Sequence, residues 1–131
     1  MYIRFVIPVR DTRCRAELGF FYGAFKIFAD ERFLECWERC ELRREIDWFN
    51  DHLDAPDAVA RRFGRHGPRS GVCWFRDTAQ VCIRRARYAG WLMGELGTPV
   101  AEIRSHRPGP LVWADEQQIV ALAGPHVPQA F

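Results

Sequence analysis

The sequence predicts an α+β or α/β fold: a strand, a helical hairpin, a βαβ unit and a C-terminal β-hairpin, forming one mixed sheet of about 4–5 strands covered by three helices. Three observations carry this expectation. β-branched and aromatic runs at 2–9 and 71–75 are each followed by the same tripeptide, Arg10-Asp11-Thr12 and Arg76-Asp77-Thr78, and then by a helix-like stretch. Apolar residues between 31 and 53 recur at three- and four-residue steps, the helical period. Two short β runs, 111–114 and 118–122, flank the connection Asp115-Glu116-Gln117, a length that suits a hairpin.

Taken in order, the first strand spans 2–9, and Pro8, which lacks an N–H, marks an edge or a strand end. A helix is expected over 16–29, where Gly19 and Gly23 lie one turn apart and admit close packing. Asp30 is placed to cap a second helix over 31–53, whose apolar face carries Phe33, Leu34, Trp37, Leu42, Ile46, Phe49 and Leu53. The segment 54–70 reads as a loop, with Pro56, Gly64, Gly67, Pro68 and Ser70. After the strand at 71–75, Asp77 or Thr78 is expected to cap a helix that runs to about Leu96, and Gly97 to end it. A strand at 99–104 completes the βαβ unit, whose two strands should be parallel and joined by a right-handed crossover. The tail 124–131 holds two prolines and reads as extended.

A chain of 131 residues fits a single domain, 1–131, able to bury roughly two thirds of the surface it exposes when unfolded. With 48% hydrophobic and 14% aromatic residues it has ample material for a core, which excludes general disorder. The formal charge of +2 falls short of the basic excess usual in nucleic-acid-binding domains. The basic residues are 18 Arg and one Lys, Lys26. A GC-rich coding sequence accounts for that bias more simply than selection for function, so Arg position is more informative than Arg number.

Five cysteines (Cys14, Cys36, Cys40, Cys73, Cys82) form no Cys-x-x-Cys pair, and no secretion signal precedes them. Reduced thiols in a cytoplasmic protein are expected, with no metal and no cofactor. Cys36 and Cys40, four apart on a helix, suit core packing, and Cys73, between Val72 and Trp74, reads as an inert core thiol. The longest apolar run, 18–28, is about half a membrane span, so no membrane partner is expected.

The candidate binding residues fall into two groups. Between Ala60 and Ser70 there are four arginines, Arg61, Arg62, Arg65 and Arg69, and no acid, making this the most basic stretch of the chain. The second group is the edge at the carboxyl ends of the parallel strands, where ligands of open α/β sheets sit. It holds Arg76, Thr78, Arg104 and His106, joined by Arg10 if the first strand runs the same way. Guanidinium forks beside a helix N-terminus suit phosphate or carboxylate. His106 near Asp77 or Asp11 has the elements of a general base, although a surface histidine needs no such role. Asp115 and Glu116, with Asp77, offer carboxylates for Mg²⁺, but turns collect acids for solubility and local hydrogen bonds.

Trp48-Phe49-Asn50 with Leu53 and Pro56, Cys73-Trp74-Phe75, and Pro108-Gly109 followed by Asp115-Glu116 and Gln118-Ile119-Val120-Ala121 resemble a group of uncharacterised bacterial single-domain proteins. The likeness covers roughly 48–121, and its motifs are of structural type. It implies an independent bacterial domain and transfers no catalytic residue. Trp113 stands where the resemblance leads one to expect Tyr, keeping an aromatic strand residue.

The functional expectation is therefore a binding or adaptor domain that contacts an acidic protein or nucleic acid through the Arg-rich loop and the strand-end edge. Two alternatives stand beside it. One is a small enzyme acting on a phosphorylated or nucleic-acid substrate, with catalytic residues unknown. The other is a dimeric structural module that pairs through the edge of the Trp113 hairpin.

Overall fold

The computed structural model describes residues 1–12, 15–54 and 71–131. In chain order the described elements are β1 (Tyr2–Arg10), β2 (Glu17–Gly19), α1 (Phe20–Phe28), a 3₁₀ turn (Glu31–Phe33), α2 (Trp37–His52), β3 (Gly71–Arg76), α3 (Gln80–Glu95), β4 (Ala101–Ser105), β5 (Leu111–Ala114) and β6 (Gln118–Leu122). The α+β class, the single sheet and the three helices are as expected, and the terminal hairpin falls at the expected residues. The sheet has six strands, and every neighbouring pair in it is antiparallel.

That last point revises the topology. β1 pairs antiparallel with β4 from Tyr2↔Ser105 to Val6↔Ala101, and antiparallel with β3 at Tyr2↔Arg76 and Ile3↔Phe75. The strands β3 and β4 therefore do run parallel, joined by α3, but β1 lies between them and splits the βαβ unit. The reason is chain economy: β1 fills the slot that a crossover over one intervening strand leaves open.

β1 alternates its side chains between two apolar layers. Ile3, Phe5 and Ile7 face the helices, where Phe20, Leu42, Ile46, Phe49, Ile83, Leu92 and Met93 join them in the larger core. Val6 packs on the other face with Trp74, Ile103, Ile119 and Ala121, and Ala123 and Val127 from the tail lie over this second layer. Arg4 shares that face and is 5% exposed. A strand buried on both sides accounts for the near-continuous apolar run in the first nine residues.

Several boundaries shift for local reasons. The stretch expected to open the first helix contains β2, because Glu17–Gly19 pairs with β1 at Val6↔Gly19 and Arg10↔Glu17. The expected helix over 31–53 begins with the 3₁₀ turn, where the Asp30 carboxylate accepts the Arg32 N–H at 3.0 Å, and becomes α-helical only at Trp37. Asp77 and Thr78 do not cap α3: its N-cap is Ala79, with no side-chain cap bond. Asp77 instead lies 3.7 Å from the N-terminal ammonium. The C-terminal end of α3 is as expected. Gly97 adopts φ +92°, and the Thr98 N–H reaches back to the Met93 carbonyl at 2.9 Å.

α2 and α3 run antiparallel, and their outer seam is built from paired side chains. The Arg85 guanidinium donates to Glu45 at 3.1 Å and sits 4.3 Å from the centre of the Trp48 ring. The Tyr88 hydroxyl donates to Glu41 at 3.1 Å, and Trp37 meets Trp91 at 6.3 Å between ring centres. Arg87 reaches the sheet and donates to Glu102 at 2.7 Å. Arg85 and Arg87 thus tie helix to helix and helix to strand. No helix among the described residues is long and apolar enough to cross a membrane.

Candidate functional site

The antiparallel direction of β1 separates the residues that a shared strand-end edge would unite. Tyr2 lies beside Arg76 and Ser105, so the carboxyl ends of β3 and β4 meet the start of β1, and Arg10 stands at the opposite end of the sheet. There its Nη2 donates to the Phe131 carbonyl at 3.3 Å. Arg10 therefore does not converge with Arg76 and His106, and the corner repeated in the sequence is repeated at opposite ends of the fold.

The remaining edge residues hold the chain's own structure. Half-buried Arg76 donates through Nε to the Asp115 carbonyl at 2.8 Å, and its N–H donates to the Gln117 carbonyl at 2.9 Å. The β5–β6 turn is clamped onto β3 in this way. Arg104 Nε donates to Glu102 at 3.0 Å, so one carboxylate takes both Arg87 and Arg104. These two guanidinium groups, Arg87 first, hold the Glu102 carboxyl below its usual range against the opposing effect of partial burial. Thr78 is exposed, and its carbonyl accepts the Gln80 N–H at 2.9 Å. His106 is exposed. Arg61, Arg62, Arg65 and Arg69 lie outside the described residues.

The acids of the hairpin are likewise accounted for. Asp115 Oδ1 accepts the N–H groups of Gln117 and Gln118, both at 2.7 Å, and so caps its own turn. Among the described residues no group of His, Cys, Asp and Glu is arranged to hold a metal ion. Two thiols depart from expectation: Cys73 and Cys40 are exposed rather than in the core. Cys82 is buried, and burial, reinforced by the Asp115 charge, raises its thiol pKa.

The described residues do enclose a cleft that the edge argument did not anticipate. On the edge of β1 away from β4, the partner changes. β3 pairs with Tyr2 and Ile3, whereas β2 pairs from Val6 onward, so Arg4 and Phe5 lie at the fork. β3 leaves β1 there to pair along Gly71–Phe75 with β6. The two diverging strands bound a cavity of about 650 Å³, within the size range of small-molecule pockets.

One wall of this cleft is aromatic. Phe20, Phe21 and Phe49 meet edge to face at 5.5 and 5.3 Å, and Phe49 stacks on Phe75 at 6.0 Å. The other wall is polar and buried. Arg4 Nη2 donates to the Glu17 carbonyl at 2.6 Å, and its guanidinium carbon lies 5.4 Å from the centre of the Trp74 indole. Trp74 is 1% exposed, and its Nε1 meets no hydrogen-bond acceptor among the described residues. Glu17, 2% exposed, accepts the N–H groups of Ala130 at 2.5 Å and Phe131 at 2.9 Å. Gln118 Nε2, also lining the cleft, donates to the Asp54 carbonyl at 2.7 Å.

The fork comes from pairing between strands far apart in sequence, and so it leaves no local sequence signal. The only hint was indirect: Arg4 and Glu17 are charged residues inside runs that otherwise read as core. No protein-family model, curated protein or solved structure matches this chain.

Proposed function

We propose that this chain is a binding domain whose ligand inserts an aromatic or apolar group into the cleft between β2 and β3. The observation that carries this reading is the cleft itself, about 650 Å³, lined largely by aromatic side chains with a few buried polar ones at a fork in the sheet. Concave, largely apolar sites with a few fixed polar groups are the usual form of a ligand pocket. The strand-end arginines favour this reading over capture of an acidic partner at that edge, because Arg76 and Arg104 already bond Asp115 and Glu102.

The test is a titration of the isotope-labelled protein with toluene, the simplest aromatic probe, followed by amide chemical shifts. Saturable shifts confined to residues around Phe20, Phe49 and Phe75 are expected. Gly19→Leu should abolish them, because Gly19 lines the cleft in an extended conformation (φ −73°, ψ 163°) that accepts any side chain. Absence of saturable shifts in the folded wild type overturns the proposal.

A further inference from the structure

We infer that the outer face of α2 and α3 is the interface of a two-fold dimer, in which α2 of one copy of this chain lies against α3 of the other. Trp37 and Trp91 are 58% and 52% exposed, and Tyr88 is exposed beside them. The three rings form one continuous patch: Trp91 lies 6.3 Å from Trp37 and 6.2 Å from Tyr88 between ring centres. None of the three lines the cleft, so the inference is independent of that site. A single exposed apolar residue means little, but contiguous ones mark interaction surfaces, where Trp and Tyr carry much of the binding energy.

The charge pattern around the patch selects the occupant. α2 holds five acids and three arginines and is net negative, whereas α3 holds three arginines and one acid and is net positive. A face whose two halves carry opposite charge complements itself, which is what an isologous interface requires. Within the chain the same attraction already operates across the seam, where Arg85 bonds Glu45. Arg84, exposed on α3 one turn from Tyr88, makes no ion pair among the described residues, so its charge is available to the α2 carboxylates of a second copy.

The orientation follows from the same pattern. A two-fold axis along the seam sets α2 of one copy over α3 of the other at the same height, because rotation about that axis preserves height. Trp37 of each copy then meets Trp91 of the other, and the α2 acids face the α3 arginines. An axis across the seam would instead lay α2 on α2 and bring like charges together. Two 16-residue helices side by side offer a face about 24 Å by about 20 Å, the footprint of a small protein–protein interface.

Sedimentation equilibrium of the full chain from about 1 to about 200 μM is the test, a range that spans the affinities of small interfaces. A concentration-dependent monomer–dimer equilibrium is expected. Trp91→Ala should weaken it about tenfold or more, as truncation of a central interface Trp does. Arg84→Glu should weaken it about three- to tenfold, by turning an attraction into a repulsion. Leu111→Ala, on the exposed β5 edge of the sheet, should leave it unchanged. All three positions are exposed, so circular dichroism should show the wild-type fold in each variant. Trp37→Ala, on the other helix, repeats the test if Trp91→Ala unfolds.

A wild type that stays monomeric throughout overturns the inference. A dimer that Leu111→Ala weakens and Trp91→Ala does not belongs to the sheet edge, and it overturns the inference too. A dimer weakened by Trp91→Ala but not by Arg84→Glu uses this face in another orientation, which overturns the α2-on-α3 arrangement.

Discussion

Glu17 accepts the main-chain N–H of Phe131 at 2.9 Å, joining residues 114 positions apart. With the matching bond from Ala130, it ties the tail to β2 beside the second apolar layer. Hydrogen bonds to a buried carboxylate are among the stronger ones, and their loss strands two backbone donors. Glu17→Ala should destabilise the protein by about 2 kcal/mol in chemical denaturation. Hydrogen exchange at Ala130 and Phe131 should accelerate selectively, and exchange rates unchanged from wild type would refute the tether.

Two glycines with positive φ should respond differently to the same substitution. Gly109 has φ +114°, and a Cβ there would collide with the Leu122 carbonyl oxygen, a rigid backbone atom. Gly97 has φ +92° with open space around it. Gly97→Ala should therefore cost about 1 kcal/mol, the backbone term alone. Gly109→Ala should cost about 3 kcal/mol or more, because the chain at β6 must also shift. Thermal or denaturant unfolding of the two variants checks the order.

Thiol labelling of the native protein should be selective. The Cys82 thiol is buried and its pKa is raised by burial, so at neutral pH it remains protonated and shielded. Cys40 lies exposed on α2. Mass spectrometry after brief iodoacetamide treatment should find Cys40 modified and Cys82 protected until denaturant is added.

The Arg87–Glu102–Arg104 cluster makes a pH prediction. The folded-state pKa of Glu102 is lowered, chiefly by the Arg87 hydrogen bond and then by Arg104, with burial opposing. A depressed carboxyl contributes stability above its unfolded pKa and loses it as pH falls through the folded value. Wild type should thus exceed Glu102→Gln in stability at neutral pH by no more than about 1 kcal/mol, because the cluster is largely exposed. The gap should close under acid conditions, and a gap independent of pH would show that Glu102 acts through packing instead.

What was legible beforehand follows from the range of the interactions. The β5–β6 hairpin and the end of α3 at Gly97 matched expectation because they depend on neighbours within a few residues. The start of α3 did not, because the Asp77 N–H donates to the Met1 carbonyl at 3.2 Å, a group close only in the folded chain. Cys73 was misjudged for a related reason. Alternation tells which residues share a face of a strand, but not whether the rest of the fold covers that face.

The sequence by itself determined the class and most of the strand and helix segments, β2 excepted, since these follow from side-chain periodicity and turn chemistry within each segment. Tertiary structure alone decided the direction of β1, and with it the fate of the two Arg-Asp-Thr corners. The pairs Tyr2↔Ser105 and Val6↔Gly19 set that direction, the second on the edge where β2 and β3 part to form the cleft. A strand has the same two-residue period whichever way it runs, so its partners and direction emerge only when the whole sheet is assembled.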